Sequence, residues 1–497
     1  MARGGDAGEK NRRWGLKLPR PQNVGARAVK VGGYTTLLGV ILVFVAIALN
    51  LFVSELPPQF IKFDTSAQKL YTISPQTREV IGKLEQDVIL YYISEPSTYD
   101  LLIQEMLERY SSLSDRISVQ YVNSILYPNF ASQYKSGTIY PNSVVVKIGD
   151  KSRWVGYEQI FDVIYYTDYS NSNIQYDTVF QGESALTNAI SFLVSGNMPV
   201  VYNLSGHGEP EMNPDFMSFI ERQNIELRDL SLIGGGAVPN DADALILLSP
   251  RTDISDMELE NVLEYLKDGG NLLLVTDYIA NELPNVEQLA NSYGLKKLNG
   301  LLIDPAARHS MSGYPMNLVP SVLEHEVTMP LIRENYGVAM PACHGIGALA
   351  NYRDTIKMTP ILATSPYAYL KENAIFAESL NLAKEEGDVE DVYVVGMVAV
   401  EPNADKEARF IWFSTSEFLR SNYNGISSGA NWDLFVNALA WMCGHEDAVT
   451  IHAKNISTKY LNINSSQASL LAITFMGVIP AIPIVIGWVI WNRRKKS

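Results

Sequence analysis

The sequence predicts a mixed α/β protein with one transmembrane helix at each end. Two stretches without a charged residue, 31–54 and 460–492, predict the helices. Between them, continuous apolar segments of strand length alternate with amphipathic helical segments, and that alternation predicts the α/β body. Of the 497 residues, 47% are hydrophobic and 19% are charged. This composition is typical of a folded protein and excludes a chain that is disordered throughout.

The two uncharged stretches are long enough to cross a bilayer. A helix needs ~20 apolar residues to span the hydrocarbon core, and a buried helix of a soluble protein rarely runs so far without a charge. We expect transmembrane helices at 34–54 and 468–491, the second kinked at Pro480 and Pro483. The first stretch exceeds the 7–15 apolar residues of a signal peptide, so it indicates a retained anchor.

The charge distribution predicts the orientation of both helices. Residues 1–34 carry a net charge of +6 and residues 493–496 carry +4. The region between them carries −25, so the net charge of the whole chain is −15. Basic residues beside a spanning helix stay on the cytoplasmic side. We therefore expect cytoplasmic tails at 1–33 and 492–497, with 55–467 outside a bacterial plasma membrane. The acidic body argues against a nucleic-acid-binding protein.

The first α/β unit is predicted at 63–196, and its elements follow the order of a thioredoxin-like layer. The predicted strands are 88–93, 117–122, 143–148 and 153–156, and the predicted helices are 76–84, 99–113 and 182–194. The turn after the first strand, where a redox motif would lie in such a layer, contains no cysteine. The sequence therefore excludes thiol–disulfide exchange for this unit.

The second unit is predicted at 197–455 as a parallel sheet covered on both faces. Predicted strands at 199–204, 244–248 and 271–276 alternate with helices at 214–223 and 255–267. Region 283–391 has a weak pattern, which indicates loops and short elements that form a lid or a partner surface. Predicted strands at 392–400 and 409–413, a helix at 431–443 and a strand at 449–453 complete the unit.

The candidate site lies where predicted strands end, since ligands of open α/β sheets bind beyond the carboxyl ends of the strands. Gly206, His207, Gly208 and Glu209 follow the first strand of the second unit. The glycines allow a tight turn, and the histidine and glutamate could act as acid and base or hold a cation. Alternatively, they are surface or capping groups of a structural turn. Arg251 and Asp277 follow the next two strands, and we predict a ligand-binding or partner-binding site at these six residues.

Other chemistries have weaker signals. The six histidines show no metal-binding spacing, so we expect no metal and no cofactor. Cys343 and His344 are adjacent, but neighbouring residues of a strand point to opposite faces, which disfavours a nucleophile and its base. A disulfide between Cys343 and Cys443 is chemically permitted outside the cell and is left open. The chain has no phosphate-binding P-loop.

Several segments, in order, resemble the auxiliary proteins of ABC transport systems of the gliding-motility GldG type. They are KLYTISP (69–75), GESALTNAI (182–190), VYNLSGHGE (201–209), SEFLRSN (416–422), DLFVNALAW (433–441) and the terminal WNRRKK (491–496). The resemblance implies a bacterial membrane protein that works with an ABC permease and an ABC ATPase. It also implies a thioredoxin-like unit and a unit similar to flavodoxin and glutamine amidotransferases, without established enzymatic activity.

Two functions remain at this stage. The resemblance favours a non-enzymatic auxiliary subunit whose outer domains bind a partner or a substrate. The alternative is a membrane-tethered, extracytoplasmic hydrolase that uses the strand-end residues around His207 and Glu209. The sequence does not identify the transported substrate, an involvement in gliding or the oligomeric state.

Overall fold

A computed structural model describes most of the chain between residues 26 and 496. The described residues are 26–54, 69–136, 139–168, 173–196, 198–311, 313–372, 374, 381–402, 406–444, 451–457 and 465–496. The chain divides into two compact units, Met1–Phe63 and Asp64–Ser497. Both α/β regions lie in the second unit, and the predicted boundary between 196 and 197 stays a prediction.

The first unit contains one described helix, α1 (Ala26–Ser54). It contains the apolar stretch Thr36–Phe52.

At the other end of the chain, Ser469–Arg493 is long and apolar enough to cross a membrane, and none of its most apolar part is buried. Helix α12 (Ser465–Ile473) and helix α13 (Ile479–Lys496) are joined by a π-helical turn, Thr474–Val478. Pro480 lies two residues after this turn, and proline is a common cause of a helix distortion. The structure is thus mixed α/β with one membrane-length helix among the described residues and a shorter apolar helix near the amino end.

The first α/β region contains a four-stranded sheet. Its elements are α2 (Pro75–Gly82), β1 (Val88–Ser94), α3 (Leu101–Leu113), β2 (Ile117–Asn123), β3 (Ser143–Ile148), β4 (Lys151–Val155), α4 (Tyr157–Ile160), β5 (Phe161–Asp168), β6 (Asn173–Phe180) and α5 (Gly182–Ser195). The sheet order is β2-β1-β3-β4, with β1 parallel to β2 and antiparallel to β3. Strands β5 and β6 form a separate hairpin that the sequence interpretation did not include.

The second α/β region contains a ten-stranded sheet. Its first elements are β7 (Val200–Leu204), α6 (Pro214–Arg222), β8 (Glu226–Leu230), β9 (Ala244–Leu248), α7 (Asp256–Lys267), β10 (Leu272–Val275) and α8 (Pro284–Ser292). The middle, where loops and short elements were expected, contains β11 (Leu295–Leu298), β12 (Leu301–Ile303), β13 (Ser310–Met311), β14 (Tyr314–Leu318), β15 (Ser321–Val322), α9 (Met329–Glu334), β16 (Met340–Pro341), β17 (Gly345–Ala348), β18 (Lys357–Ala363), β19 (Ala368–Lys371) and β20 (Glu390–Asp391). The last elements are β21 (Val394–Pro402), β22 (Glu407–Phe413), α10 (Ser421–Ile426), α11 (Ala430–Met442) and β23 (Lys454–Asn455).

Five neighbouring strands of this sheet are parallel, in the order β22-β10-β9-β7-β8. Strand β9 shows why these strands are apolar at every position, since its alternate residues belong to two different cores. Ile246 and Leu248 belong to the core under α6 and α11. Leu245 and Leu247 belong to the core under α7 and α8. Strand β21 joins β22 antiparallel. The carboxyl ends of the parallel strands therefore lie on one edge, as the alternation of strands and helices predicts. The predicted strand 449–453 lies partly outside the described residues, and the strand observed nearby is β23.

Helix α5 connects three parts of the second unit. The buried carboxylate of Glu183 accepts hydrogen bonds from the Ser74 backbone amide at 2.7 Å and from Thr77 Oγ1 at 2.8 Å. Its second oxygen is 2.8 Å from Nζ of Lys454 in β23. One turn later, Asn188 donates to Oε1 of Gln223 at 2.6 Å, just after α6. The GESALTNAI segment thus has a structural role.

Candidate functional site

The four loops that follow β7, β9, β10 and β22 meet at the carboxyl edge of the parallel sheet. They contain the six predicted residues and one segment that the sequence analysis missed, 414–416 after β22. Strand β22 lies next to β10, although more than a hundred residues separate them in the sequence. No local pattern in the sequence predicts this neighbour, because strand order is a property of the whole sheet.

The turn after β7 is held by its own glutamate. Glu209 Oε2 accepts hydrogen bonds from the backbone amides of Gly206 at 3.0 Å and His207 at 2.7 Å. The carbonyl oxygen of His207 accepts from the amides of Arg251 and Thr252 at 2.8 and 2.9 Å. Gly208 has a φ of +74°, which L side chains rarely adopt. The turn is therefore tied to the loop after β9, and its glutamate acts as a capping group.

The imidazole of His207 lies between two buried carboxylates. Its Nε2 is 3.2 Å from Oε2 of Glu258, and its Nδ1 is 3.4 Å from Oε1 of Glu209 without a hydrogen bond. Glu258 also accepts from the amide and hydroxyl of Ser255 in the capping box that begins α7. Burial raises the pKa of the Glu258 carboxyl, but the Ser255 hydrogen bonds and His207 outweigh it, so this pKa lies below its usual value. His207 thus links the turn to the start of α7.

Arg251 and Asp277 form the second group of the site. Asp277 Oδ2 accepts from the Arg251 guanidinium at 2.7 Å and from the Ser416 hydroxyl at 2.8 Å, and Oδ1 accepts from the Ser416 amide at 2.5 Å. Lys297 Nζ donates to the Asp277 carbonyl oxygen at 3.2 Å, and burial lowers the pKa of this lysine. One carboxylate therefore joins the loops after β9, β10 and β22. Ser416 is the contact that sequence analysis did not find.

A cleft of about 380 Å³ opens beside this group. Its lining includes Arg251, Ser416, Glu417 and Arg420 and, from the start of α6, Asn213. Arg420 is 2.8 Å from Glu417, whose pKa is raised above its usual value because the carboxyl is half-buried. The lining does not include residues 206–209. The structure thus brings Arg251 to the cleft and places Asp277 behind it, while the GHGE turn supports the neighbouring loop.

The pair Cys343 and His344 is buried and unsuited to nucleophilic chemistry. Burial raises the pKa of Cys343 to about 12 and lowers the pKa of His344 to about 3. His344 Nε2 is 2.7 Å from the Thr276 hydroxyl, which itself accepts from Trp412 Nε1 at 2.7 Å. His344 Nδ1 is 2.9 Å from the Gly345 carbonyl oxygen, which can only accept, so Nδ1 carries the proton of this neutral core histidine and Nε2 accepts from the Thr276 hydroxyl. Cys343 and Cys443 are both free, so the disulfide left open by the sequence is not formed.

No group of three or more His, Cys, Asp or Glu side chains is placed to hold a metal ion within the part of the chain that the structure describes. His207 and its two glutamates do not form such a group. There the imidazole separates the carboxylates, so the three side chains do not converge on one point.

The comparison with protein families found a match for each α/β region. Residues 198–438 match the family described as an ABC-type uncharacterized transport system. This match supports the resemblance to ABC-transport auxiliary proteins at the level of the family. Residues 67–161 match a domain family of unknown function, DUF7088. No curated protein matches the chain.

Solved structures give weak matches. The N-terminal domain of mmIFT52 is 13% identical, with a TM-score of 0.36, and covers 49% of this chain and 96% of its own. PurLQS from Thermotoga maritima is 12% identical, with a TM-score of 0.26, and covers 50% and 100%. A putative thua-like protein from Parabacteroides merdae is 10% identical, with a TM-score of 0.28, and covers 53% and 93%. At these scores the matches carry no argument about function.

Proposed function

We propose that this chain is a membrane-anchored accessory subunit of a bacterial ABC-type transport system, and that its α/β body binds a partner or a substrate. The observation that carries the proposal is the family match over 198–438, which supports an accessory role in ABC transport. The apolar helix Ser469–Arg493, and the shorter one near the amino end, are consistent with anchoring. The partners in this proposal are an ABC permease and an ABC ATPase, together with membrane lipid.

The finer features of the proposal come from the sequence. We propose a GldG-type subunit with a thioredoxin-like unit at 63–196 and a flavodoxin-like or amidotransferase-like unit at 197–455. The basic tails support an orientation with both termini in the cytoplasm and 55–467 outside. A role in gliding is a separate question, because the resemblance concerns the protein type rather than the behaviour of the cell.

We propose the cleft at the carboxyl edge as the binding site of the body. Arg251 contributes a guanidinium at its wall, and Asp277 holds that guanidinium in place together with Ser416. The turn after β7 acts indirectly, because its backbone is hydrogen-bonded to the loop that contains Arg251. This turn consists of Gly206, His207, Gly208 and Glu209. The proposed site thus has one contact residue and five positioning residues among the six predicted from the sequence.

Co-purification tests the proposal. The full-length protein, tagged and expressed in its own host, should retain the permease and the ATPase in a mild detergent. An Arg251→Ala variant should still insert, but it should lose the partner or ligand that the cleft binds. Ser111→Ala, which removes an exposed hydroxyl on α3, is the matched control. A protein that inserts and never retains transporter subunits would contradict the accessory role.

The alternative function, a membrane-tethered hydrolase, gains no support from the geometry of the predicted turn. The His207 ring is buried between Glu209 and Glu258, and the cleft lining includes neither His207 nor Glu209. The ABC-transport family match also favours a non-enzymatic role. A His207→Ala/Glu209→Ala variant separates the two functions, because an enzyme would lose turnover while an accessory subunit would keep its transporter partners.

A further inference from the structure

The hairpin of β5 and β6 presents an apolar face to solvent. Val163, Tyr165, Ile174 and Tyr176 are 39%, 58%, 77% and 65% exposed. Tyr165 and Tyr176 are directly opposite each other, with ring centroids 6.2 Å apart. Directly paired residues of an antiparallel ladder share a face, and alternate residues of one strand do so too. The four side chains therefore form one patch, which we call the hairpin patch.

The opposite face of the hairpin is occupied by the rest of the protein. A Cβ added to Gly425 in α10 would lie 2.5 Å from Cβ of Tyr166, so the helix backbone packs directly on that residue. Ile164 Cδ1 would lie 4.0 Å from a Cβ added to Gly429, which is ordinary van der Waals contact. The hairpin is thus anchored through one face, and the hairpin patch is its outer face.

The composition of the hairpin patch is unusual for a surface strand. The exposed face of an antiparallel sheet is normally polar, because that face is solvated. Among the described side chains, this face carries two aliphatic residues, two tyrosines and the half-buried Thr178 opposite Val163, and no charged residue. Tyrosine has an apolar ring and a polar hydroxyl, and it is enriched where a membrane meets water. The chemistry of the patch fits a bilayer interface.

A short segment of chain links the hairpin to the C-terminal helix. Strand β23 pairs antiparallel with β6, Lys454 opposite Phe180 and Asn455 opposite Val179. The pairing continues, since the Ile456 amide donates to the Thr178 carbonyl oxygen at 2.9 Å and the Thr178 amide donates to Ser457 Oγ at 2.6 Å. From 454 to 457 the chain therefore runs along β6 toward the turn of the hairpin.

The distance left to the membrane helix is short. Helix α12 begins at Ser465, and residues 458–464 can extend over at most about 28 Å from Ser457, at ~3.5 Å per residue. Strand β6 continues from Thr178 to Asn173 in the direction of the chain, by about 17 Å at ~3.4 Å per residue. The amino end of β6 thus lies within the distance that the chain can cover between Ser457 and Ser465.

We propose that the hairpin patch rests on the outer surface of the bilayer that Ser469–Arg493 crosses, with Tyr165 and Tyr176 at the level of the lipid headgroups. The inference rests on the membrane anchoring in the proposed function. It adds a second lipid contact, which holds the α/β body in a defined orientation over the membrane. The occupant of the patch is lipid rather than another protein.

Fluorescence quenching by lipid tests the inference. The full-length protein, with Cys443→Ser to remove the partly exposed thiol, is placed in phosphatidylcholine nanodiscs that contain nitroxide-labelled lipid. An environment-sensitive fluorophore is attached at Ile174→Cys in the patch. Met257→Cys, on the exposed side of α7, is the control outside the patch, and Ile484→Cys in α13 reports insertion of the helix.

We expect the lipid nitroxide to quench the labels at 174 and 484 and to leave the label at 257 unchanged. Adding Tyr165→Ser and Tyr176→Ser should abolish quenching at 174 but not at 484. Both tyrosines are exposed, so circular dichroism of this variant should match that of the parent. Quenching at 484 without quenching at 174 overturns the lipid contact and leaves the anchoring intact, whereas loss at both positions overturns both. Protection of 174 only when the permease is present also overturns it, in favour of a protein contact.

Discussion

The buried carboxylate of Glu183 offers the sharpest test of how the second unit is held together. Its oxygens accept from the Ser74 amide, from Thr77 Oγ1 and from Lys454 Nζ, at 2.7, 2.8 and 2.8 Å. These groups come from three separate parts of the sequence. Replacing Glu183 with alanine should therefore destabilise the region in which α2, α5 and the segment before the membrane helix meet.

The size of the effect follows from what each partner loses. The Ser74 amide loses its acceptor, and a buried donor without a partner costs about 1–3 kcal/mol. Thr77 keeps the Thr187 hydroxyl at 3.0 Å, and Lys454 keeps the Thr72 carbonyl oxygen at 2.6 Å, so each loses less. With the cavity left by the deleted side chain, we expect Glu183→Ala to lower the free energy of unfolding by about 3–5 kcal/mol. Glu183→Gln retains an acceptor and should lose about 1–3 kcal/mol.

Thermal unfolding of the full-length protein in detergent, followed by circular dichroism, measures this difference. For a unit as large as Asp64–Ser497, one kcal/mol corresponds to roughly 1 °C at ~2.1 cal/mol/K per residue, so the alanine variant should melt roughly 3–6 °C lower. Glu79→Ala is the matched control, because Glu79 also pairs with a lysine, Lys83 at 3.1 Å, but on an exposed helix surface. It should change little. If Glu183→Ala melts within about 1 °C of Glu79→Ala, the network does not hold these segments together.

Three further predictions concern the second α/β region. Because burial lowers the pKa of His344 to about 3, against 6.5 when unfolded, its contribution to stability is complete above pH 6.5 and is lost as the pH falls toward 3. In denaturant unfolding, the free energy of unfolding should fall by about 2 kcal/mol between pH 6.5 and pH 5 because of this group. His344→Gln should make the free energy of unfolding less dependent on pH in this range. An unchanged pH dependence in the variant would refute the prediction. Gly208→Ala should lower the free energy of unfolding by about 1–3 kcal/mol, because φ is +74° and the added Cβ would lie 3.2 Å from a neighbouring side chain. Gly82→Ala is the control, since it has open space around it and should be neutral or stabilising. Equal melting temperatures of the two variants would contradict the strain at Gly208. Since Cys343 and Cys443 are free, a reducing agent should leave the melting temperature unchanged, and any drop would indicate a disulfide.

Local pattern was sufficient for most individual elements. The run of apolar residues at 244–248 predicted β9 with the bounds that the structure has, and 143–148 likewise predicted β3. A strand buried on both faces needs an apolar residue at every position, so its sequence identifies it. The hairpin of β5 and β6 was missed because its exposed face carries tyrosine, isoleucine and valine, which hides the polar alternation of a surface strand.

The candidate site was predictable only in part. Arg251 and Asp277 could be placed at strand ends, and the ion pair between them follows from the adjacency of β9 and β10. Ser416 could not be found, because its strand reaches β10 only after an excursion of more than a hundred residues. The role of His207 was also beyond the sequence, since its partner Glu258 is 51 residues away, at the start of a different element.

The sequence by itself determined the secondary-structure elements, the apolar helix near the C-terminus and the residues that end each strand, because these depend on the side chains of neighbouring residues. Tertiary structure alone decided which strand ends become neighbours, that Glu209 caps its own turn, and that one face of a hairpin is left uncovered. Those outcomes depend on the order of strands in the sheet and on contacts between distant segments. No local pattern of side chains contains that information.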